Sequence, residues 1–393
     1  MSWLNQIRSV TAVGLSSVPA RLGTSMVIVV GLAAVVAVLV SALALAQGFR
    51  DAARKTGSAS RAIVLNGDTE GAGALTRENV LTLLNAPGIR KAAGGEPVAS
   101  ADALTFIGLR NSITGLNAYV AVRGVGPQAP ALRPEMKLVE GRMFAPGARE
   151  VVVGRAVQHR LGGLAPGATV PMQNGDWTVT GVFESGGDAH ESELMTDAAM
   201  LLDATRRNVF ASLTVALEGE GALERFRSAA QSDPTLTVKV WREDEYFELA
   251  SRNVSSLLTA VAWGIGGLMA FGAVFAALNT MYTAVGVRAG EIATLRAMGF
   301  GAGPVVASVI IEAVLLALTG ALIGALIAWA LLDGSRVSAM SGISSSQLTF
   351  GLHVGPALLA TGIACGIGIA VVGGALAAVK AARIPVAEAF RMA

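Results

Sequence analysis

The chain has 393 residues, 30 Lys+Arg against 28 Asp+Glu, and 53% hydrophobic side chains with only 15% charged. Soluble domains are about a quarter charged, so this composition excludes an ordinary soluble protein, and its apolar richness excludes a disordered one. A net charge of +2 gives no attraction for nucleic acid, and one cysteine, Cys365, excludes an intrachain disulfide.

In chain order, a polar segment over 1–21 precedes Leu22–Ala46, an apolar run without charge. Crossing a bilayer takes about 20 such residues, so this run is the first predicted span. Residues 47–253 then hold 22 of the 30 basic and 24 of the 28 acidic side chains, which marks a soluble domain inserted into a lipid-embedded remainder. Val254–Val285, Pro304–Leu332 and Gly355–Val379 are three further predicted spans, the middle one interrupted by Glu312. A loop over 286–303, a short loop over 333–354 and a tail over 380–393 complete the chain. The expected fold class is a membrane protein with four transmembrane α-helices (one plus three) and an inserted α+β extracytoplasmic domain.

Orientation follows the Lys/Arg bias of short loops. Arg8 and Arg21, Arg288 and Arg296, and Lys380, Arg383 and Arg391 fall on one side, which is expected to be cytoplasmic and to hold both termini. Arg50, Arg54, Lys55 and Arg61 run against this assignment, but long translocated domains obey the rule poorly. Ala44-Leu45-Ala46 is similar to a signal-peptide cleavage site. The apolar run is far longer than a signal core of 7–15 residues, so it is expected to stay as an anchor.

Within the soluble domain, Ile63–Leu65, Ala118–Val125, Glu150–Val153, Trp177–Phe183 and Leu213–Leu217 read as strands. Thr76–Asn85, Ala156–Leu161, Met195–Arg207 and Gly221–Ser232 read as helices, with Pro87-Gly88 stopping the first. Trp241–Asn253 is charged and leads into the second span, so it is expected to extend that helix as a stalk beside Gln47–Lys55.

The sequence offers no catalytic residues. None of the five lysines follows a glycine, so a phosphate-cradling Gly-Lys-Ser/Thr loop is absent. His159, His190 and His353 are scattered, and no Cys/His cluster has zinc spacing, so no metal is expected. Asp188-Ala189-His190-Glu191-Ser192-Glu193 is a conceivable metal or hydrolase site, but five polar residues among six read first as a solvated loop. Glu312 is the ionisable residue inside a span, and burying a carboxylate there is costly enough to make it a functional candidate. The blander alternative has it reach the interface or pair with a neighbouring helix. Gly320-x-x-x-Gly324 and Gly362-x-x-x-Gly366 permit close helix approach, between spans or between protomers.

The loop after the second span carries the clearest motif. On a helix, Arg288, Glu291 and Leu295 share one face, Arg296 flanks it, and Gly299 suits a stop. The pattern Arg288-x-x-Glu291-Ile292-x-x-Leu295-Arg296-Ala297-x-Gly299, the one-plus-three span order and Glu312 ahead of Gly320 and Gly324 together resemble the permease subunits of MacB/FtsX/LolC-type ABC transporters. The closing Ala382–Ala389 segment, with Pro385, is similar too, although Phe390 stands where that family has an aliphatic residue. Gly141-Arg142-x-Phe144, Glu150–Gly154, Gly167 and Trp177–Phe183 resemble the MacB-type periplasmic core; residues 50–130 match loosely.

The resemblance implies an inner-membrane, multi-pass protein that binds no cofactor itself. It implies a separate ABC ATPase subunit, carrying ATP and Mg, docked by Arg288, Glu291, Ile292, Leu295, Arg296 and Gly299. It also implies a second permease protomer, in a homodimer or heterodimer. A periplasmic adaptor (membrane fusion protein) with an outer-membrane channel fits an efflux role, and membrane lipid surrounds the spans. Efflux, lipoprotein or peptide export, and regulation of cell-wall hydrolases all stay open. An ATPase-independent membrane sensor or scaffold is the alternative from another class.

Overall fold

The structure is a computed structural model that describes residues 6–8, 11–12, 22–67, 74–172, 174–287, 290, 294, 301–340 and 347–382. It divides into two compact units. One comprises Met1–Ala46, Leu257–Ser335 and Leu352–Ala393; the other comprises Gln47–Ser256 and Arg336–Gly351.

Among the described residues, four helices are long and apolar enough to cross a membrane: α1 (Leu22–Thr56), α7 (Glu243–Val287), α8 (Ala302–Leu332) and α9 (Pro356–Ala382). At 1.5 Å per residue, the 35 residues of α1 and 45 of α7 reach about 52 and 68 Å, well beyond a hydrocarbon core of about 30 Å. Both therefore continue as helices past their apolar runs. Charge favours these extensions: α1 ends on Arg54 and Lys55, and α7 begins with Glu243, Asp244 and Glu245, each sign matching its end of the helix dipole. The first unit's core gathers Ile28, Leu32, Met281, Ala313, Ala317 and Ile369, drawn from all four long helices.

The second unit is built from β1 (Arg61–Asn66), β2 (Leu75–Thr76), α2 (Arg77–Leu84), β3 (Ala99–Arg110), β4 (Asn117–Val125), α3 (Ala129–Leu132), β5 (Lys137–Gly141) and β6 (Glu150–Gly154). There follow α4 (Arg155–Leu161), β7 (Thr169–Met172), β8 (Gly175–Glu184), β9 (Glu193–Asp197), α5 (Ala198–Thr205), β10 (Val209–Phe210), β11 (Ser212–Ala216), α6 (Ala222–Ser232) and β12 (Val238–Arg242). A ten-stranded sheet runs β12-β1-β11-β3-β4-β9-β6-β8-β5, with β7 on β8. Its pairs are antiparallel except β4–β9 and β6–β8. Trp177, Val120, Val122, Val153 and Leu194 fill one core; Val64, Leu83, Leu213 and Phe226 fill another.

Several elements differ from the sequence reading, among them Trp241 and Arg242, which end strand β12 where the stalk helix was expected to begin. The 12-residue β3 was not expected, because Ala99-Ser100-Ala101-Asp102-Ala103 lacks β-branched residues; burial between β11 and β4 makes it a strand. Met195–Asp197 belongs to β9, and the helix expected from Met195 starts at Ala198, where Asp197 accepts from the Ala199 amide. The expected loop over 333–354 contains a hairpin, β13 (Arg336–Met340) and β14 (Gln347–Gly351), which belongs to the second unit.

Candidate functional site

The Arg288, Glu291, Ile292, Leu295, Arg296 and Gly299 positions lie outside the described residues, as do Arg383–Ala389 of the closing segment. Glu312 is buried, 5% exposed, and makes polar or electrostatic contact. The glycines join helices of one chain. A Cβ on Gly320 would stand 2.6 Å from the Val29 carbonyl oxygen, and one on Gly324 would overlap the Ala33 carbonyl, so α8 meets α1 backbone to backbone. A Cβ on Gly362 would stand 2.5 Å from Val40 Cγ2, and one on Gly366 would stand 3.0 Å from Ala321 Cβ, which seats α9 on α1 and α8.

Asp188–Glu193 is a correction to the sequence reading. It is a buried 3₁₀ turn rather than a solvated loop: Asp188, His190, Glu191, Ser192 and Glu193 are all buried. Nearly every polar atom has a partner, which is how such burial is tolerated. The Asp188 carboxylate accepts from Ser185 Oγ at 2.8 Å and from the Glu191 amide at 3.2 Å. Glu191 accepts the Ser185 and Gly187 amides at 2.6 and 2.8 Å, and burial raises the Asp188 pKa. Ser192 Oγ accepts from the Thr349 amide at 2.8 Å, fastening β14 to the turn.

From this turn a network of buried charge leads to the start of α7. Glu193 takes a bidentate pair from Arg123, at 2.6 and 2.8 Å, and stands 3.2 Å from His190 Nδ1. Arg123 and Arg133 both approach Asp102 at 3.4 Å. Arg133 stands 3.9 Å from Glu243, whose other oxygen takes Arg61 Nε at 2.5 Å and the Ser58 amide at 3.1 Å. Arg61 also pairs with Glu135 at 2.7 Å. Burial would lower the Arg61 and Arg123 pKa values, but the adjacent carboxylates outweigh it and raise both. Burial would likewise raise Glu193; Arg123 wins, and the carboxyl sits below the ordinary range.

The end of α1 joins the same place. Thr56 Oγ1 accepts from the Ala189 amide at 2.8 Å, and Gly57 lies so close to α7 that a Cβ would fall on the Asp244 backbone. Phe247, one turn into α7, meets the His190 ring edge to face at 6.4 Å. The ends of both extended helices are thus tied to the sheet through strand residues Arg61, Asp102 and Arg123. Buried ion pairs contribute little net stability over apolar packing, so the network serves fixed geometry better than it serves stability. Sequence reading missed it; its signal was a lone charge inside each of the apolar stretches around Asp102 and Arg123. Among the described residues, no group of three His, Cys, Asp or Glu side chains is arranged to hold a metal ion.

The profile of the MacB-like periplasmic core domain matches residues 25–248, and that of the FtsX-like permease C-terminal region matches residues 263–386. The chain belongs to the FtsX/MacB-type ABC permease family. Two solved structures are similar to the permease. The extracellular domain of the noncanonic ABC-type transporter YknZ from Gram-positive bacteria is 16% identical with a TM-score of 0.37, covering 46% of this chain and 99% of that one. The periplasmic region of MacB from Actinobacillus actinomycetemcomitans is 16% identical with a TM-score of 0.39, covering 51% and 95%. Among proteins of curated function, none matches the permease.

Proposed function

We propose that the permease carries ATP-driven conformational change from a separate cytoplasmic ATPase subunit to its soluble domain, for efflux or for export of a lipoprotein or peptide. In this reading the domain faces the periplasm of a bacterial inner membrane, both termini are cytoplasmic, and a second protomer completes the transporter. The supporting observation is the charged joint. Helices α1 and α7 continue past their apolar runs, and their ends are held to the ten-stranded sheet by the Thr56–Ala189 hydrogen bond and the Arg61–Glu243 pair. Helices held this way pass a displacement to the sheet instead of absorbing it in a loose linker. The motif from Arg288 to Gly299 is the proposed docking element for the ATPase.

Reconstitution with the copurifying ATPase tests the reading. Reversing charge with Arg288→Glu and Glu291→Arg should abolish subunit association and lipid-dependent stimulation of hydrolysis. Association and stimulation that survive both changes would sink the docking role, and a permease that copurifies with no ATPase would favour a sensor or scaffold. Gly57→Val, which forces α1 away from α7, should leave association intact while uncoupling hydrolysis from transport.

A further inference from the structure

Four basic residues just past the first span oppose the charge bias that orients the protein, and three of them, Arg50, Arg54 and Lys55, take no part in the joint. Arg50 and Arg54 sit at i and i+4 on the α1 extension and line a cavity of about 320 Å³ against α7. Across it stand Arg252 and Glu248, with Ser251, Ser255 and Ser256 beside them. Asp51 and Lys55, on another face of α1, line a different cavity. Three guanidinium groups therefore share one space with a single carboxylate. That carboxylate makes only a long, exposed contact to Arg252, at 3.9 Å, while Arg50 and Arg54 make no ion pair among the described residues.

A seam between two helices is ordinarily closed by apolar side chains, because unpaired cations repel across it. This seam instead presents up to fifteen N–H donors in a concave space, and guanidinium forks match the oxygens of phosphate.

Its level along the helices narrows the choice of ligand. Arg50 follows the last apolar residue of the first span, Ala46, by about 6 Å, and Arg54 by about 12 Å. Arg252 precedes Val254 by about 3 Å. The headgroup layer on each side of the hydrocarbon core is roughly 5–8 Å deep, so the Arg50 and Arg252 backbones lie within it and that of Arg54 about 4 Å beyond it, a gap that a long guanidinium side chain spans.

We infer that Arg50, Arg54 and Arg252 bind the phosphate of an anionic phospholipid headgroup between the α1 and α7 extensions. The site is independent of ATPase coupling and holds for either orientation. It also accounts for basic residues on the side where the loop rule disfavours them: they are retained for a ligand.

The test uses the full chain in neutral detergent. Short-chain phosphatidylglycerol, phosphatidylcholine and inorganic phosphate are titrated separately, with bound lipid counted by native mass spectrometry. Phosphatidylglycerol should bind more tightly than phosphatidylcholine. Each Arg→Gln change at 50, 54 and 252 should weaken it about fivefold, and the three together more than 20-fold, with the effect fading in high salt. Glu248→Gln removes the lone opposing charge and should tighten phosphatidylglycerol several-fold, a direction that damaged folding cannot produce. Arg225→Gln, on α6, should change nothing.

Phosphatidylglycerol binding that survives the triple change, or that Arg225→Gln weakens equally, overturns the site. Inorganic phosphate binding as tightly as the lipid overturns the headgroup assignment.

Discussion

Arg61, the first residue of β1, and Glu243, the first residue of α7, meet at 2.5 Å with side chains 6% and 0% exposed. The pair closes a loop of more than 180 residues and sets where α7 leaves the sheet. Removing one member strands a buried charge at a cost of about 3–5 kcal/mol, whereas replacing both by apolar residues removes the penalty. Arg61→Met should therefore lower the unfolding midpoint of the solubilised chain more than Arg61→Met combined with Glu243→Leu. Strictly additive losses in the double-mutant cycle would mean the pair is uncoupled.

The contact between α8 and α1 depends on Gly324 having no side chain. Gly324→Leu drives a branched chain into the Ala33 backbone and should lower thermal stability by about 1–3 kcal/mol or more. Gly267→Leu, at a position with nothing within 4 Å, should be nearly neutral. Similar melting temperatures for the two variants would refute backbone contact at Gly324.

Acid should weaken the joint through Glu193. Its folded carboxyl titrates below the ordinary range, so its contribution is complete above about pH 4.3, the unfolded value, and is lost as pH falls through the folded one. The raised Asp188 pKa works the other way, favouring the folded chain as that carboxyl takes up its proton. Glu193→Gln should be less stable than the parent at pH 7, and the gap should shrink below about pH 4. A stability difference constant from pH 7 to pH 3 would contradict this.

The β13–β14 hairpin is fastened to the domain by Ser192, which accepts from the Thr349 amide at 2.8 Å. Ser192→Ala removes that hydrogen bond, at a cost of about 0.5–1.5 kcal/mol. Hydrogen exchange should show faster loss of protection at Thr349 and Phe350 while β4 and β6 stay protected. Unchanged exchange at Thr349 would show that the hairpin is held by other contacts.

The four spans were legible because apolar runs of this length are a signal that no packing detail can disguise; the predicted run Pro304–Leu332 and the observed α8, Ala302–Leu332, differ by two residues at one end. Strands β4, β6, β8 and β11 were legible for a similar reason, being rich in β-branched and aromatic residues. Strand β3 was not, since alanine and serine carry no strand preference until neighbouring strands cover them. The Asp188–Glu193 turn reads as solvated because polar residues usually are. Its burial depends on partners as remote as Arg123 and Thr349, which adjacency in sequence does not reveal.

Residue chemistry alone thus determined that low charge marks lipid and that the charged middle forms a separate soluble domain, both of which follow from local composition. The family was legible only as a resemblance, carried by span order, loop motif and core-domain pattern together, and the matches over residues 25–248 and 263–386 established it. Only the tertiary structure decided that the glycine pairs join helices of one chain, and that Arg61, Arg123 and Arg133 are buried together with Glu243. It also separated Arg50 and Arg54 from Asp51 and Lys55, facing them across a cavity toward Arg252. Those outcomes depend on which faces meet across the fold, a relation that spacing along one helix or strand does not contain.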